Sequence, residues 1–367
     1  MPTQNTTSPL LAPARLADLD LPNRLVIAPM TRNRAEPSGT ASLLMAEYYV
    51  QRASAGLIIA EASTPNKVGR TYPDIAALYE PEHTQGWLRV NQRVTAQGGR
   101  MFAQIQHGGR VGHPDTSGLT PLAPSPIALP DPIHTPTGRR RAETPRRMDQ
   151  DDIDATIADF AATARRAVEA GFAGVEIHAA NGYLLHQFLA PNTNRRTDGY
   201  GGTPAARMRV VLEVIDAVIA EIGADRVGVR ISPGNTVNGI TETDQDIDTL
   251  YPELAARLDE RGPAYLHVAF ADPDSRIWKR LRSHWSRTLI GNPILPADAI
   301  PADGGRAAGE RMLQAGADLV ALGRPFLANP DLVERIRTGA PVNPVRDKYL
   351  MYVGGATGYT DYPTLAG

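Results

Sequence analysis

The stretch Arg226–Pro233 reads RVGVRISP, a short β-branched run that closes on a polar residue and a proline. Seven further runs of this kind are spaced along the chain: Arg24–Met30, Leu57–Ala62, Arg100–His107, Gly174–Ala179, Tyr265–Phe270, Thr288–Asn292 and Leu319–Arg324. Strands that are apolar nearly throughout are typical of a parallel sheet covered on both faces. The eight runs therefore predict an α/β protein built on parallel strands.

Segments with helical periodicity lie between these runs. Asp151–Ala170 places its apolar residues on one stripe, and Thr203 followed by Pro204 is a good helix start for a segment that runs to about Ile222. Asp244–Arg261 and Arg306–Ala315 follow the same pattern. Eight alternating β and α units predict a single (β/α)8 TIM barrel over residues 1–367. A doubly wound sheet is disfavoured because no G-x-G-x-x-G follows an early strand.

One connection is unusually long. Gly108–Met148 holds eight prolines and the basic run Arg139–Arg141, and it shows no helical period. Loops of this length in a compact domain are usually functional lids or disordered segments. Its position after the third strand predicts a capping excursion, residues 108–148, over the face where barrel chemistry lies. The arginine run lacks the interleaved aromatic residues of a nucleic-acid site.

Composition excludes several functional classes. The 367 residues include no cysteine, which rules out disulfides, zinc–thiolate sites, iron–sulfur clusters and a thiol nucleophile. The formal net charge of −2 argues against nucleic acid as a partner. No apolar run approaches the roughly 18 residues of a membrane span, so no membrane partner is expected. Residues 1–9 are polar and predict a loose N-terminus and a cytoplasmic protein.

The residues that close the strands should form the site, because barrel chemistry lies at the C-terminal strand ends. These residues carry few carboxylates, of which Glu61 and Glu176 are the clear ones. A glycosidase needs two facing acids, a metal-dependent hydrolase needs a His/Asp/Glu cluster, and an aldolase needs a strand-end lysine. Of the three lysines, Lys67 and Lys279 are expected in loops. What remains is a site for a planar or anionic cofactor.

Two strand ends carry the sharpest signals. Gly323 and Arg324 close the eighth run, where barrel phosphate sites are often built from a glycine backbone and a bidentate guanidinium. His178 and Asn181, three residues apart in an expected helical turn, can direct two donors at one substrate oxygen, which stabilises a developing enolate. Tyr183 stays protonated at neutral pH and can give its proton to a basic carbon.

Four separated motifs are similar to those of the Old Yellow Enzyme family of FMN-dependent ene-reductases. They are LPNRLVIAPMTR at Leu21–Arg32, HAANGYLLHQFLAPNTNRRTDGYGG at His178–Gly202, GRPFLANPDLVERIR at Gly323–Arg337 and GYTDYP at Gly358–Pro363. The resemblance runs almost end to end. It implies bound FMN, NADPH or NADH as reductant, and small electron-poor alkenes as substrates, in a monomer or a homodimer.

The resemblance also implies roles for individual residues. The residues expected to bind FMN are Pro29, Met30, Thr31, Ala62, Gln104, Arg230, Asn292, Gly323 and Arg324. Thr31 would tune the flavin through O4, Arg230 would lie near N1 and O2, and Arg324 would bind the phosphate with the amide of Gly323.

At the substrate side, the resemblance implies that His178 and Asn181 hold the activating oxygen and that Tyr183 is the proton donor. Tyr72 and Tyr352 are expected to line the substrate pocket. The seventh run ends in Gly291-Asn292 rather than in the family's double glycine, and Gly304-Gly305 comes later, so the amides that complete the phosphate site stay open.

Two alternative functions remain at this point. One is a flavin-free barrel hydrolase or isomerase that uses His178 and Glu176. The other is a flavoprotein that stores or senses without catalysis.

Overall fold

Eight parallel strands form a closed barrel in the computed structural model, which describes residues 8–296 and 298–366. They are β1 (Leu25–Ile27), β2 (Leu57–Ile59), β3 (Met101–Ile105), β4 (Gly174–Ala179), β5 (Val227–Ile231), β6 (Tyr265–Ala271), β7 (Thr288–Pro293) and β8 (Leu319–Leu322). Each strand pairs with the next in the chain, and β8 pairs with β1, which closes the ring. The predicted TIM barrel is confirmed.

One major helix follows each strand. The eight are α1 (Leu43–Val50), α2 (Pro81–Thr95), α3 (Gln150–Glu169), α4 (Pro204–Ile222), α5 (Asp244–Arg261), α6 (Arg276–His284), α7 (Arg306–Gln314) and α8 (Leu332–Thr338). The Thr203 side chain accepts the N–H of Ala206, as the predicted N-cap requires. Lys279 lies in α6, so its expected place in a loop is wrong. Two short helices, Leu184–Leu189 and Arg324–Ala328, are inserted after β4 and β8.

A hairpin covers the N-terminal end of the barrel. Its strands, Ala14–Leu16 and Leu19–Leu21, pair antiparallel. Leu16 and Leu21 are buried in one cluster with side chains of the barrel interior, among them Tyr265. Because apolar packing fills this end, polar chemistry is left to the opposite, C-terminal end.

The segment 108–148 contains short regular elements that the sequence pattern did not indicate. They are a 3-10 turn (Gly109–Val111), a one-turn helix (Pro114–Ser117), a parallel pair (Leu122–Ala123 with Arg146–Arg147) and a hairpin (Ile133–Thr135 with Gly138–Arg140). The Arg110 guanidinium donates to the carbonyls of Asn238 and Gly239, in the connection after β5. The segment is thereby tied to the C-terminal side of the barrel.

The loose N-terminus was expected over residues 1–9, and residues 1–7 lie outside the described part of the chain. Ser8 is described, and its hydroxyl donates to Glu310 Oε1 at 2.7 Å. Within residues 8–296 and 298–366, no helix has the length and apolar character needed to cross a lipid bilayer.

Candidate functional site

The polar residues at the C-terminal end of the barrel form a nearly continuous chain of contacts. Strand register puts His178 beside Arg230 and Glu176 beside Gln104. Arg230 in turn bonds to Asn292, on β7. Seven of the eight strands, all but β6, bring predicted site residues to one end of the barrel, because parallel strands present their carboxyl ends on the same side.

His178, near the end of β4, is a buried, neutral hydrogen-bond donor. Burial lowers its pKa well below the ordinary value, and the neighbouring charge of Arg230 acts in the same direction. Its Nδ1 atom accepts the backbone N–H of Ala180 at 3.3 Å, which places the ring proton on Nε2. The imidazole therefore offers one N–H, without a positive charge, to a ligand.

Asn181 follows His178 in a left-handed turn and not in the expected helical turn. Its φ is 55° and that of Gly182 is 75°. The turn forms because Asn and Gly tolerate this region, and because His186 Nδ1 accepts the N–H of Gly182 at 3.0 Å. The Oδ1 atom of Asn181 is buried and has no hydrogen-bond partner among the described residues. The Nδ2 group likewise makes no hydrogen bond to a described residue, so the whole amide is available to a ligand.

Tyr183 caps the short helix Leu184–Leu189 and lies edge-on to the His178 ring, with ring centroids 5.1 Å apart. Burial raises its pKa well above the ordinary value, and the hydrogen-bonded Tyr72 raises it further. The phenol therefore holds its proton throughout the neutral range. Tyr352 also raises this pKa electrostatically.

Arg230 and Asn292 form a pair across the barrel mouth. The Arg230 Nη2 atom donates to Asn292 Oδ1 at 3.0 Å, and the Asn292 amide donates to the carbonyl of Ala321. The Nε atom of Arg230 is buried without a partner among the described residues. A buried guanidinium N–H needs an acceptor, and an anionic or carbonyl-rich ligand supplies one.

Gln104 is oriented by the strand-borne acid Glu176. Its Nε2 atom donates to Glu176 Oε1 at 2.7 Å, so its Oε1 atom points elsewhere as an acceptor. The other carboxylate oxygen of Glu176 lies 2.8 Å from His267 Nδ1. The pKa of Glu176 is lowered although burial alone would raise it, because His267, Arg230 and Gln104 stabilise the charge. Both carboxylate oxygens are therefore engaged within the barrel.

The segment after β1 is half-buried over Pro29, Met30 and Thr31. It is fixed by Glu61, the residue before Ala62, whose Oε2 atom accepts the N–H of Arg32 at 3.3 Å. Burial raises the pKa of Glu61 to about 7. Ala62 is buried at the end of β2. The two strand ends that the sequence predicted at the flavin are thus linked to each other.

Gly323 and Arg324 lie where β8 passes into the helix Arg324–Ala328. A Cβ atom at Gly323 would lie 3.2 Å from Met30 Sδ, so glycine allows the backbone to approach β1 closely. The Arg324 Nη2 atom donates to the carbonyl of Pro296 at 2.6 Å. The extended connection after β7 therefore contacts the predicted phosphate-binding arginine, a contact that the sequence did not indicate. Gly305 is the N-cap of α7, and Asp303 accepts its N–H.

Tyr352 lies on a C-terminal arm, residues 348–359, that two buried arginines hold. Arg32 donates to the carbonyls of Met351 and Gly358. Arg34 donates to the carbonyls of Leu350, Met351 and Val353. Tyr352 itself is 48% exposed, so it sits at the rim of the site rather than in its depth.

Sequence reasoning missed two residues of this region. Asn238, after β5, donates to the carbonyl of Asn181 at 2.8 Å and has a left-handed φ of 56°. Phe270, the residue before the end of β6, forms a bulge, with a φ of 54° and a half-exposed ring. The sequence Asn238-Gly239 predicts a turn, but it does not predict that this turn contacts Asn181. No sequence pattern predicts the left-handed backbone conformation of Phe270.

The donor set fits FMN. Arg230 offers an unpaired buried N–H, Gln104 an oriented amide, and Gly323 a backbone without a side chain. In residues 8–296 and 298–366, no group of three or more His, Asp and Glu side chains is arranged to hold a metal ion. Arginine, amide and backbone groups are the ones that a phosphorylated planar cofactor requires.

Comparison with known proteins agrees with this geometry. Residues 9–343 match the model of the NADH:flavin oxidoreductase / NADH oxidase family. A probable flavin mononucleotide-dependent alkene reductase of Leishmania infantum is 37% identical over 361 residues, which cover 96% of this chain and 97% of that protein. The Old Yellow Enzyme homologue from Zymomonas mobilis superimposes with a TM-score of 0.91 at 34% identity, covering 97% of this chain and 99% of that one.

Morphinone reductase in complex with tetrahydroNAD superimposes with a TM-score of 0.89 at 39% identity, covering 97% of each chain. All these similarities extend over nearly the whole sequence, so they concern the barrel and its site together. The chain belongs to the NADH:flavin oxidoreductase / NADH oxidase family and is an FMN-dependent oxidoreductase of the Old Yellow Enzyme type.

Proposed function

We propose that this enzyme reduces the activated C=C bond of α,β-unsaturated carbonyl or nitro compounds at the expense of NADH or NADPH. The chemistry that bound FMN supplies is two-electron storage, which lets one site take hydride from a nicotinamide and deliver it to an alkene. The chain's own residues would bind the alkene, polarise it and give it a proton.

The observation that carries this proposal is the neutral His178 beside an unpaired Asn181 amide. The Nε2–H of His178 and the Nδ2–H2 group of Asn181 are donors that can meet at one carbonyl or nitro oxygen. Donors of this kind stabilise the negative charge that develops on this oxygen as the far carbon gains hydride. Because His178 is uncharged, the oxygen is polarised without being protonated.

Tyr183 supplies the proton in this account. Its pKa, raised by burial, keeps the phenol protonated, and its ring lies against His178, so its hydroxyl is near the polarised substrate. The α-carbon of the polarised alkene becomes basic and takes the phenolic proton. Tyr72 and Tyr352 are proposed to border the same pocket, the first next to Tyr183 and the second on the C-terminal arm.

The FMN contacts proposed for this chain follow the ring of strand ends. Arg230, Gln104 and Asn292 would hold the polar edge of the flavin, with Thr31 and Ala62 alongside. Arg324 and the backbone of Gly323 would hold its phosphate. The segment 108–148, tied by Arg110 to the connection after β5, is proposed to cap this end of the barrel.

The alternative that pairs His178 with Glu176 has little geometric support. Glu176 is fully buried, and its two carboxylate oxygens are bound to Gln104 and His267. A general base needs a free lone pair directed at its substrate. A flavoprotein that only senses does not require a protonated tyrosine beside two converging donors. The half-reaction test below distinguishes such a sensor from a reductase.

The test is a pair of half-reactions with the purified holoenzyme under anaerobic conditions. Flavin absorbance should bleach on addition of NADH or NADPH and return on addition of 2-cyclohexenone, with cyclohexanone as the product. Bleaching without recovery by enones, maleimides or nitroalkenes would contradict the alkene-reductase proposal and favour a sensor. Absence of flavin absorbance would contradict the cofactor assignment itself.

A further inference from the structure

Two left-handed Asn-Gly turns pack against each other at the substrate side of the site. Asn181 and Gly182 have φ values of 55° and 75°, and Asn238 and Gly239 have φ values of 56° and 67°. A Cβ atom added at Gly182 would lie only 2.6 Å from the Cβ of Asn238 and from the carbonyl oxygen of Val237. The two turns therefore touch with no room for a side chain between them.

The Asn238 side chain acts on the catalytic segment at two points. Its amide donates to the carbonyl oxygen of Asn181 at 2.8 Å. The side chain also lies beside the Tyr183 phenol, where it lowers the pKa of that group. The N–H of Asn181 is held by Ser232 Oγ at 2.9 Å. The connection after β5 therefore fixes Asn181 through both its backbone polar atoms.

A buried relay keeps this arrangement rigid. His186 Nδ1 accepts the N–H of Gly182, and its Nε2 atom lies 3.0 Å from the hydroxyl of Tyr251. Tyr251 donates to Glu242 Oε1 at 2.7 Å, and Glu242 Oε2 accepts the N–H of Gly234 at 2.9 Å. His186, Tyr251 and the Glu242 carboxylate are almost fully buried. These hydrogen bonds link the Asn181 turn to Gly234, at the start of the connection after β5 that carries Asn238. The two turns are thus joined both directly and through this buried network.

The proton transfer creates a need that Asn238 meets. When the phenolic O–H bond breaks and a C–H bond forms at the α-carbon of the reduced alkene, the electron pair stays on the Tyr183 oxygen until solvent returns a proton. A buried phenolate without a donor is costly. A hydrogen bond to an ionised acceptor is about twice as strong as one to a neutral acceptor, so the contact strengthens as the proton leaves.

We propose that Asn238 is a positioning residue for proton delivery, which holds the Asn181 turn in place and stabilises the Tyr183 oxygen while its proton is on the substrate. The inference rests on the proposed function, because only there does Tyr183 give up a proton. Asn238 lies outside the His178–Tyr183 segment, so the connection after β5 also contributes to proton transfer.

The first test measures the contact itself in the full-length holoenzyme. 3,5-Difluorotyrosine, which is more acidic than tyrosine, is placed at position 183, and its ionisation is followed by ¹⁹F NMR. Asn238→Asp keeps the size and the left-handed tolerance but replaces the donor, and Asn238→Gly removes the side chain. Both should raise the titration midpoint, by about one pH unit. An unchanged or lower midpoint in both variants would overturn the proposal.

Asn192→Ala is the matched control for loop loosening. Asn192 donates to the carbonyl of Gly239 at 2.8 Å and accepts the N–H of Thr241 at 3.0 Å, so it holds the same connection without contacting Tyr183. In Asn192→Ala, the titration midpoint at position 183 should equal that of the wild type. A rise in Asn192→Ala as large as in Asn238→Gly would show that loop order alone sets the titration, and would overturn the role of the amide.

The second test is kinetic. In Asn238→Asp, reoxidation of the reduced enzyme by 2-cyclohexenone should slow at least tenfold and gain a solvent deuterium isotope effect, while reoxidation by ferricyanide, which takes no proton from Tyr183, stays unchanged. Equal slowing with both oxidants would contradict the proposal. If the wild type is not reoxidised by any alkene, the proposed function fails, and the NMR titration still decides whether Asn238 acts on Tyr183.

Discussion

The Nδ1 atom of His178 accepts the backbone N–H of Ala180 at 3.3 Å, so the tautomer of this buried imidazole is set by the first residue after its strand. The turn that begins at Ala180 immediately presents Asn181 and Tyr183. One strand end therefore supplies a neutral donor, an amide and a phenol within six residues, and the connection after β5 fixes them from the side.

Replacing His178 and Asn181 together by alanine should abolish binding of phenolic ligands. Each side chain donates to the phenolate oxygen in this account, and a hydrogen bond to a charged group contributes about 1.5–3 kcal/mol, roughly 10- to 150-fold in affinity. Titration of the long-wavelength charge-transfer band with 4-hydroxybenzaldehyde measures the effect. His284→Ala, an exposed histidine on α6, is the control. An undiminished band in the double variant would disprove the assignment.

Arg230→Met should weaken FMN binding at least tenfold and make the flavin harder to reduce. The side chain is buried with an unpaired Nε atom, and loss of a charged donor to the reduced, anionic ring removes its stabilisation. Flavin release and a spectroelectrochemical potential measure both effects. Arg226→Met, an exposed position just before the opposite end of this strand, should leave both values unaltered. Retention of FMN with an unshifted potential in Arg230→Met would refute this role.

Glu61→Gln should stabilise the fold at neutral pH relative to the wild type. Burial raises the pKa of Glu61 from 4.5 to about 7, so the native state binds more protons than the unfolded state between these values. Wild-type stability therefore falls as pH rises through this window, by up to about 3 kcal/mol from this group. The variant lacks this dependence.

The check is urea unfolding of both proteins at pH 4.5, 6 and 8. The difference in free energy of unfolding, variant minus wild type, should grow with pH. A difference that stays constant across the three pH values would show that Glu61 is ionised with an ordinary pKa in the folded protein.

Arg34→Met should loosen the C-terminal arm and raise the KM for enones several-fold. The variant leaves the carbonyls of Leu350 and Val353, on either side of Tyr352, without their buried donor, while the Met351 carbonyl keeps its bond from Arg32. Limited proteolysis within residues 348–359 reports the loosening. Arg346→Met removes the half-exposed ion pair with Asp361 and a contact over the Tyr362 ring, both outside residues 348–359, so it is the control and should have little effect. Equal proteolysis of the two variants would argue against the arginine anchor.

The barrel could be predicted from the sequence because local patterns decide it. β4 and α4 were predicted with the bounds that the structure shows. An apolar run defines β4, and Thr203-Pro204 marks the start of α4. The positions of His178, Arg230 and Asn292 at one end of the barrel follow from the parallel direction of the strands. The resemblance to a known family added the roles of these residues.

The remainder depends on contacts between distant segments. The left-handed turn at Asn181 is held by Asn238 and His186, and the arm that carries Tyr352 is held by Arg32 and Arg34, more than 300 residues earlier. Neither contact leaves a periodic signal. The bond from Arg324 to Pro296 likewise depends on an extended connection whose path the sequence does not specify.

The role of Tyr183 as proton donor is decided by a stopped-flow comparison of Tyr183→Phe with the wild type. Flavin reduction by NADH should proceed at nearly the wild-type rate, while reoxidation by 2-cyclohexenone should slow by about 10²- to 10⁴-fold, the usual contribution of a positioned general acid. Equal losses in the two half-reactions, or undiminished reoxidation, would contradict the assignment of Tyr183 as the proton donor.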